Sequence, residues 1–227
     1  MISNTDPGRA ARCTAASILA SAAVLAALPG CNVVGPIVAV AQGPGEVPAA
    51  FEDLDSQRKT VIFVDDPANK IAQRRIRSQI GVAAQDELLR RKLIDEGAMI
   101  DTRSALAMAE RGGDNGPLAI TEIGEAVGAE VIIYVLVTRF GMSDDGVNFQ
   151  PTSELEVKIL DVTSEARIWP PAGDPGYRAT FSTSTGNANM PRTRTGALQA
   201  EMDLAEVTGL GLAQLFYDVE RPQSLRR

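Results

Sequence analysis

The chain contains no histidine, and only two of its 227 residues are cysteine. Both of these, Cys13 and Cys31, fall near the front of the sequence. From Asn32 onward there is no imidazole, no thiol and no possible disulfide. Cysteine nucleophiles, histidine-dependent triads and the usual Cys/His zinc sites are therefore excluded from that part of the chain. If the protein is exported, its hydrophobic core must hold the fold without covalent help. Aromatic residues are also scarce, 4% with a single Trp, which leaves few rings for stacking on bases. Basic residues are outnumbered by acidic ones, 22 to 29, for a net charge of −7. A surface of that sign is repelled by phosphate backbones, so no nucleic-acid partner is expected. No cofactor and no metal site is implied.

What the front of the chain does have is a leader. Thr14 to Leu28 is almost purely apolar and follows Arg9 and Arg12. A charged stub, a short apolar core and a break describe a secretory signal peptide. The run is too short to span a bilayer, which takes about 20 apolar residues. The tetrapeptide Leu28-Pro29-Gly30-Cys31 resembles a bacterial lipobox, which implies cleavage before Cys31 and acylation of its sulfur and new amino group. Stable anchoring takes about two acyl chains, so a triacylated Cys31 would hold the protein on a membrane. Ala39-Val40-Ala41 before Gln42 also fits an ordinary signal-peptidase site, so cleavage after Ala41 is the alternative. In lipoproteins of this kind an Asp after the lipidated Cys favours inner-membrane retention. Asn32 stands there, which points to the periplasmic face of the outer membrane.

The rest divides into three parts. Residues 31–56 carry the anchor and a Gly- and Pro-rich tether expected to be extended or mobile. Residues 57–221 are expected to form a single domain, and 222–227 a tail. Thr60 to Val64 reads as a buried strand stopped by Asp65-Asp66-Pro67. A long amphipathic helix is expected from about Ala68 to Ile94, then a short strand at Ala98-Met99-Ile100, and a helix over Thr102 to Arg111 capped by Asp101. Pro117 suits the first turn of a third helix, which Gly128 ends. Val131 to Thr138 is apolar at both parities, the mark of a central strand covered on both faces. Leu155, Val157 and Ile159 alternate with Glu154, Glu156 and Lys158, as in an antiparallel strand with one wet face. Ala166 to Trp169 and Tyr177 to Thr185 read as further strands, and the Pro-rich stretch 170–176 between them must project as a loop. Leu198, Met202, Ala205, Gly209, Leu212 and Phe216 form the stripe of a closing helix, with Gly209 expected against the sheet. The result is an α/β fold with a mixed sheet, in the order β-α-β-α-α-β-β-β-(β)-α, and helices packed on the sheet.

The phrase Ile123-Gly124-Glu125-Ala126-Val127-Gly128-Ala129-Glu130-Val131-Ile132-Ile133-Tyr134, followed by Val157-Lys158-Ile159-Leu160-Asp161-Val162-Thr163, is familiar in this setting. It resembles the periplasmic lipoproteins that activate penicillin-binding proteins, the curli-secretion lipoprotein, and the amino-terminal domain of the Tol-Pal translocation protein. In those, a helix ending in a Gly-Ala or Gly-Asp pair feeds a strand, and the next strand ends in an Asp-x-x-Thr-type turn. The resemblance implies a partner-binding envelope protein without catalysis.

Three local features are candidates for function. Asp65-Asp66 at a strand end resembles the acidic pair that holds magnesium in receiver domains, but turn and helix capping explains it better. Lys70, Arg74 and Arg77, with Arg75, Arg90, Arg91 and Lys92, make the largest cationic patch. It could dock anionic lipid or a cell-wall polymer, or be a solvated helix face paired with local acids. Trp169 and Tyr177 flank the Pro-rich loop. They are the best local candidates for a partner surface, because Trp and Tyr are enriched at binding hot spots; the alternative is that Trp169 caps the core where its strand ends. Asp144-Asp145-Gly146 reads as a plain loop. The function expected is that of an anchored lipoprotein binding an envelope protein or cell-wall component, with a homo-oligomer possible. The rivals are a carboxylate-dependent hydrolase and a subunit of a secretion ring.

Overall fold

The computed structural model describes residues 46–113, 116–143, 149–183 and 191–220. Cys31, the leader and Asp144-Asp145-Gly146 lie outside the described residues. The chain enters through a two-residue strand, β1 (Glu46–Val47), then forms β2 (Thr60–Asp65) and helix α1 (Arg74–Arg90). There follow β3 (Met99–Ile100), α2 (Thr102–Arg111), α3 (Ile120–Val127), β4 (Val131–Gly141) and β5 (Thr152–Asp161). The chain closes with β6 (Arg167–Trp169), β7 (Tyr177–Ser182), α4 (Arg194–Ala213), a 3-10 turn at Gln214–Phe216 and β8 (Val219–Glu220). Among the described residues no helix is long and apolar enough to cross a membrane.

The mixed α/β architecture is the one the hydrophobic pattern predicts. The main sheet runs β3-β2-β4-β5-β6, with β7 also on β5. β2 lies parallel to β3 and β4, and β4 to β5 is antiparallel. Parity sorts the side chains onto two faces. Ile62, Val64, Ile133, Val135, Val157 and Ile159 meet Ile76, Ile80 and Leu88 of α1 and Ala205 and Leu212 of α4 in one core. Val61, Phe63, Ile132 and Tyr134 meet Ala105 and Leu106 of α2 and Ile123 of α3 in a second.

Several boundaries differ from expectation, and four of them have a clear local reason. The first helix begins at Arg74, because the buried Asp66 carboxylate accepts hydrogen bonds from Lys70 N (2.8 Å) and Ile71 N (2.7 Å) and holds a turn there. Its end comes at Arg90, because Lys92 adopts φ 58° while Leu93 N donates back to Leu88 O at 3.0 Å. That left-handed step breaks the ladder in the manner of a helix C-cap. α3 starts three residues after Pro117, where Glu122 reaches back to Ala119 N at 2.6 Å. The last part of the expected tether is bound. Ala50 N and Phe51 N both donate to Leu215 O (2.8 and 3.0 Å), and β1 pairs antiparallel with β8.

Gly209 corrects a further expectation. A Cβ there would sit 2.4 Å from Ile80 O and 2.6 Å from Ala83 Cβ, so its close approach is to α1 and not to the sheet. α4 meets the sheet one step round its circumference. The Thr208 and Ser153 hydroxyls lie 2.6 Å apart, and a Cβ on Gly211 would strike the Phe181 ring at 2.3 Å. α4 is therefore wedged between α1 and the strands, and small residues on two of its faces permit both contacts.

Candidate interaction surface

β6 and β7 are two lengths of one edge strand. Leu160 registers with Arg167 and Ile159 with Trp169, then Val157 with Tyr177 and onward to Thr152 with Ser182. The seven residues 170–176 are an excursion from that edge. A run with Pro at 170, 171 and 175 cannot donate the ladder hydrogen bonds a strand needs, so the chain leaves the sheet and rejoins it. Pro171, Ala172, Gly173, Asp174 and Pro175 are all exposed. The excursion is braced from within: Asp174 N donates to Pro171 O at 3.2 Å, and the Arg167 guanidinium donates to Asp174 O. Gly176 brings the return leg against β5, where a Cβ would lie 2.3 Å from Glu156 Cγ.

Trp169 and Tyr177, the two aromatic candidates, stand at the base of this excursion. Their ring centroids are 4.7 Å apart, and the Phe51 ring lies 5.7 Å from that of Trp169, both pairs tilted. All three are partly buried against the main core, and burial raises the Tyr177 phenol above its usual range. Phe51 is the partner sequence reasoning missed. Its signal was available: an aromatic set in a stretch read as tether, where a plain linker has none.

The face of β5 opposite α1 and α4 carries a polar strip. Lys158 Nζ pairs with Glu156 Oε1 at 2.8 Å, and Arg139 with Glu154 at 3.3 Å. Tyr134 donates to Asp65 Oδ2 at 2.8 Å, and burial, then that hydrogen bond, pushes its phenol well up. Asp65 and Asp66 thus hold a phenol and a turn respectively, which is the structural role. At the far end of β5, Asp161 accepts from Ser164 N (2.8 Å) and Oγ (2.9 Å) and from Arg58 Nη2 (2.5 Å). The Ser164 N–H, then Arg58, brings the Asp161 carboxyl down to about 2. This is the Asp161-Val162-Thr163 turn singled out in the sequence.

The cationic patch is not one stripe. Lys70 lies in the turn before α1 and not on the helix. Arg74 and Arg77 share Glu110 of α2, at 2.8 and 3.6 Å. Arg90 and Arg91 sit at the other end of α1, hydrogen-bonded to the buried Glu87 at 2.6 and 3.1 Å. Burial alone would raise the Glu87 carboxyl, but hydrogen bonds from Arg90, Tyr217 and Arg91 outweigh it and the pKa falls. Arg91 also lies 4.2 Å over the Tyr217 ring. Between α1 and α2 the structure adds a residue the sequence reading did not single out. Arg103 joins Arg74, Arg75, Ser78, Gln79, Val82 and Leu106 around a groove of about 470 Å³. Nothing in the local pattern pairs Arg103 with Arg75, since only the packing of α2 on α1 brings them together.

The fold and surface define a class: an α/β module with helices on both faces of one sheet half, and an edge that carries a stiff projecting loop. No protein-family model and no curated protein matches the sequence. Among solved structures it is similar to the PelC dodecamer from Paraburkholderia phytofirmans, at 12% identity and TM-score 0.38, covering 75% of this chain and 97% of that one. It is also similar to the lipoprotein GNA1162 from Neisseria meningitidis (13%, TM-score 0.36, covering 57% and 86%). A third is the LpoB C-terminal domain from Salmonella enterica (15%, TM-score 0.29, covering 58% and 87%).

Proposed function

We propose that this chain is an exported lipoprotein, anchored through Cys31, whose α/β domain works by docking another component of the bacterial envelope. The observation that carries the docking role is the 170–176 excursion. It is exposed at its tip, stiffened by prolines, and held at its base by the Phe51–Trp169–Tyr177 cluster. A loop already ordered before contact loses less conformational freedom on binding, so more of its contact energy appears as affinity. Trp169 and Tyr177 contribute as the base that aims the loop. The anchoring part rests on the lipobox-like Leu28-Pro29-Gly30-Cys31 after an apolar core. In this reading the module is not an enzyme, and the periplasmic face of the outer membrane is its site of action.

Two variants test the two parts separately. Cys31→Ala should leave an uncleaved or unacylated chain; unchanged acyl labelling and membrane partitioning would refute the anchor. Replacing 170–176 by a single residue that continues the edge strand opposite Lys158 should abolish partner capture from intact cells while the thermal midpoint stays near that of the parent. Undiminished capture by the shortened chain would place the docking surface elsewhere. A second reading, a self-assembling ring subunit, draws on the β6–β7 edge, whose outer backbone groups face no strand among the described residues and are free to pair with another copy. A purified chain that is monomeric at every concentration would rule that out.

A further inference from the structure

We infer that residues 37–41 of the tether add a strand to the open edge of the sheet beside β7, within the same chain. This rests on the proposed cleavage before Cys31, since cleavage after Ala41 would remove the segment.

The only strand that β7 pairs with among the described residues is β5. Which of its backbone groups are left over follows from the register. Ser182 stands opposite Thr152, and Thr183 N donates to Pro151 O at 3.3 Å. In an antiparallel ladder the residues that bond a given neighbour alternate along the strand. Tyr177, Ala179 and Phe181 therefore bond β5, and the N–H and C=O groups of Arg178, Thr180 and Ser182 point away from the sheet. Native edges are commonly blunted by lysine, proline or a bulge. Residues 177–182 hold neither lysine nor proline, and their register with β5 runs without a break. Apolar surface borders this edge as well. α4 sets Gly211 against Phe181; Val207, one turn earlier on the same helix row, is half-buried, and Leu210 is 37% exposed. Leu210 and Ile168 of β6 are the large apolar side chains that stay exposed among the described residues.

Composition, reach and direction select the occupant. Of the segments outside the described residues that a chain starting at Cys31 keeps, 32–45 alone has runs of β-branched residues, with Ile37, Val38 and Val40 close together. The stretch 184–190 is mostly small and polar, and 221–227 carries three arginines and a proline. Phe51 marks where the incoming chain meets the edge: its ring is 5.7 Å from Trp169, itself 4.7 Å from Tyr177 at the start of β7. Phe51 lies five residues after Glu46, and Ala41 five before it. Two legs of at most about 18 Å each let Ala41 return to the Tyr177 end through Gln42-Gly43-Pro44-Gly45, a turn-forming run. Laid along β7 from there, residues 37–41 run antiparallel to it, the pairing that is more stable per residue. A short covalent link gives the segment an effective concentration on the order of millimolar. Its presence would deny this edge to another copy.

The test is hydrogen exchange at single-residue resolution on the full acylated chain, one copy per phosphatidylcholine nanodisc. The amides of Arg178 and Thr180 should exchange at least tenfold more slowly in the parent than in Val38→Pro/Val40→Pro, which removes two ladder donors. The amide of Ala179, bonded to β5, should not change. Val38→Thr/Val40→Thr keeps the donors and should keep the protection. Equally fast exchange of Arg178 and Thr180 in parent and proline variant would overturn the pairing. So would protection of residues 38 and 40 alone, the sign of a segment lying on the bilayer, or protection seen only in discs holding two copies. A loss that spreads equally to Ala179 would show that the segment supports the whole fold and not this edge. The mass of the N-terminal peptide separates the two failures. An N-terminus at Gln42 overturns the anchor and the strand together, whereas an acylated Cys31 with unprotected Arg178 and Thr180 overturns the strand alone.

Discussion

The two halves of the sheet are built on different rules. In the β2–β4 half, both parities are apolar and both faces are covered: Val61 and Ile62 are buried, and so are Ile132 and Ile133. In the β5–β7 half, one parity is buried under α1 and α4, and the other holds Glu154, Glu156 and Lys158. The first half gains the full burial free energy of its side chains, roughly 1.5–3 kcal/mol for each large aliphatic one. The second gives up part of that for a polar strip and an edge that admits a seven-residue excursion without disturbing the core. Covered scaffold and exposed excursion are thus separated within one sheet, and under the proposed docking role an insertion at the edge would change recognition while stability stays with the covered half.

That contrast can be broken by substitution. The largest effect should come from Ile132→Ala in the covered half, where the side chain is fully buried between β4 and α3. We expect a loss of about 2–5 kcal/mol by denaturant unfolding, and a loss below 1 would mean the second core is loosely packed. Next is Thr208→Val, where α4 meets the sheet. Thr208 donates to Leu204 O, so Ser153 must donate to Thr208, and both hydroxyls are buried. Valine would strand the Ser153 hydroxyl at a cost of about 1–3 kcal/mol, and adding Ser153→Ala should recover part of it.

A smaller effect, and one that depends on pH, is expected at the end of β5. The Asp161 carboxyl is held down at about 2 by the Ser164 N–H and Arg58. A depressed folded-state pKa stabilises the protein above the unfolded value, and that stabilisation is lost as pH falls. Asp161→Asn should therefore be less stable than the parent at neutral pH, and the gap should close between about pH 4 and pH 2. A gap that is constant across that window would show that Arg58 and Ser164 do not bind the ionised form. The smallest effect belongs to the open half. Ile168, on β6, is 40% exposed, and Ile168→Thr should alter stability by no more than about 0.5 kcal/mol.

The covered half was legible in the sequence because burial writes itself into both parities. Val131 to Val135 could be read as central before any coordinates, and the alternation from Glu154 to Ile159 as half-wet. Caps were legible where a side chain acts locally, as at Asp101. The first helix misled because its apolar spacing continues past both ends. The Asp66 turn and the left-handed Lys92 are decided by hydrogen bonds that periodicity does not encode. The collinearity of β6 and β7 was hidden for a similar reason, since strand partners are set by register across the sheet. Phe51 on Trp169 and Glu110 on Arg74 and Arg77 are contacts between segments distant in sequence. Only the packed fold brings them together.

The central claim is that partners meet the edge excursion and not the covered half. It is tested most directly by photocrosslinking in intact cells, with the photoreactive residue placed at Ala172 in one chain and at Glu125 on α3 in another. Both positions are exposed. The account predicts a discrete higher-mass adduct from Ala172 and none from Glu125. An adduct from Glu125 with none from Ala172, or none from either, would contradict it.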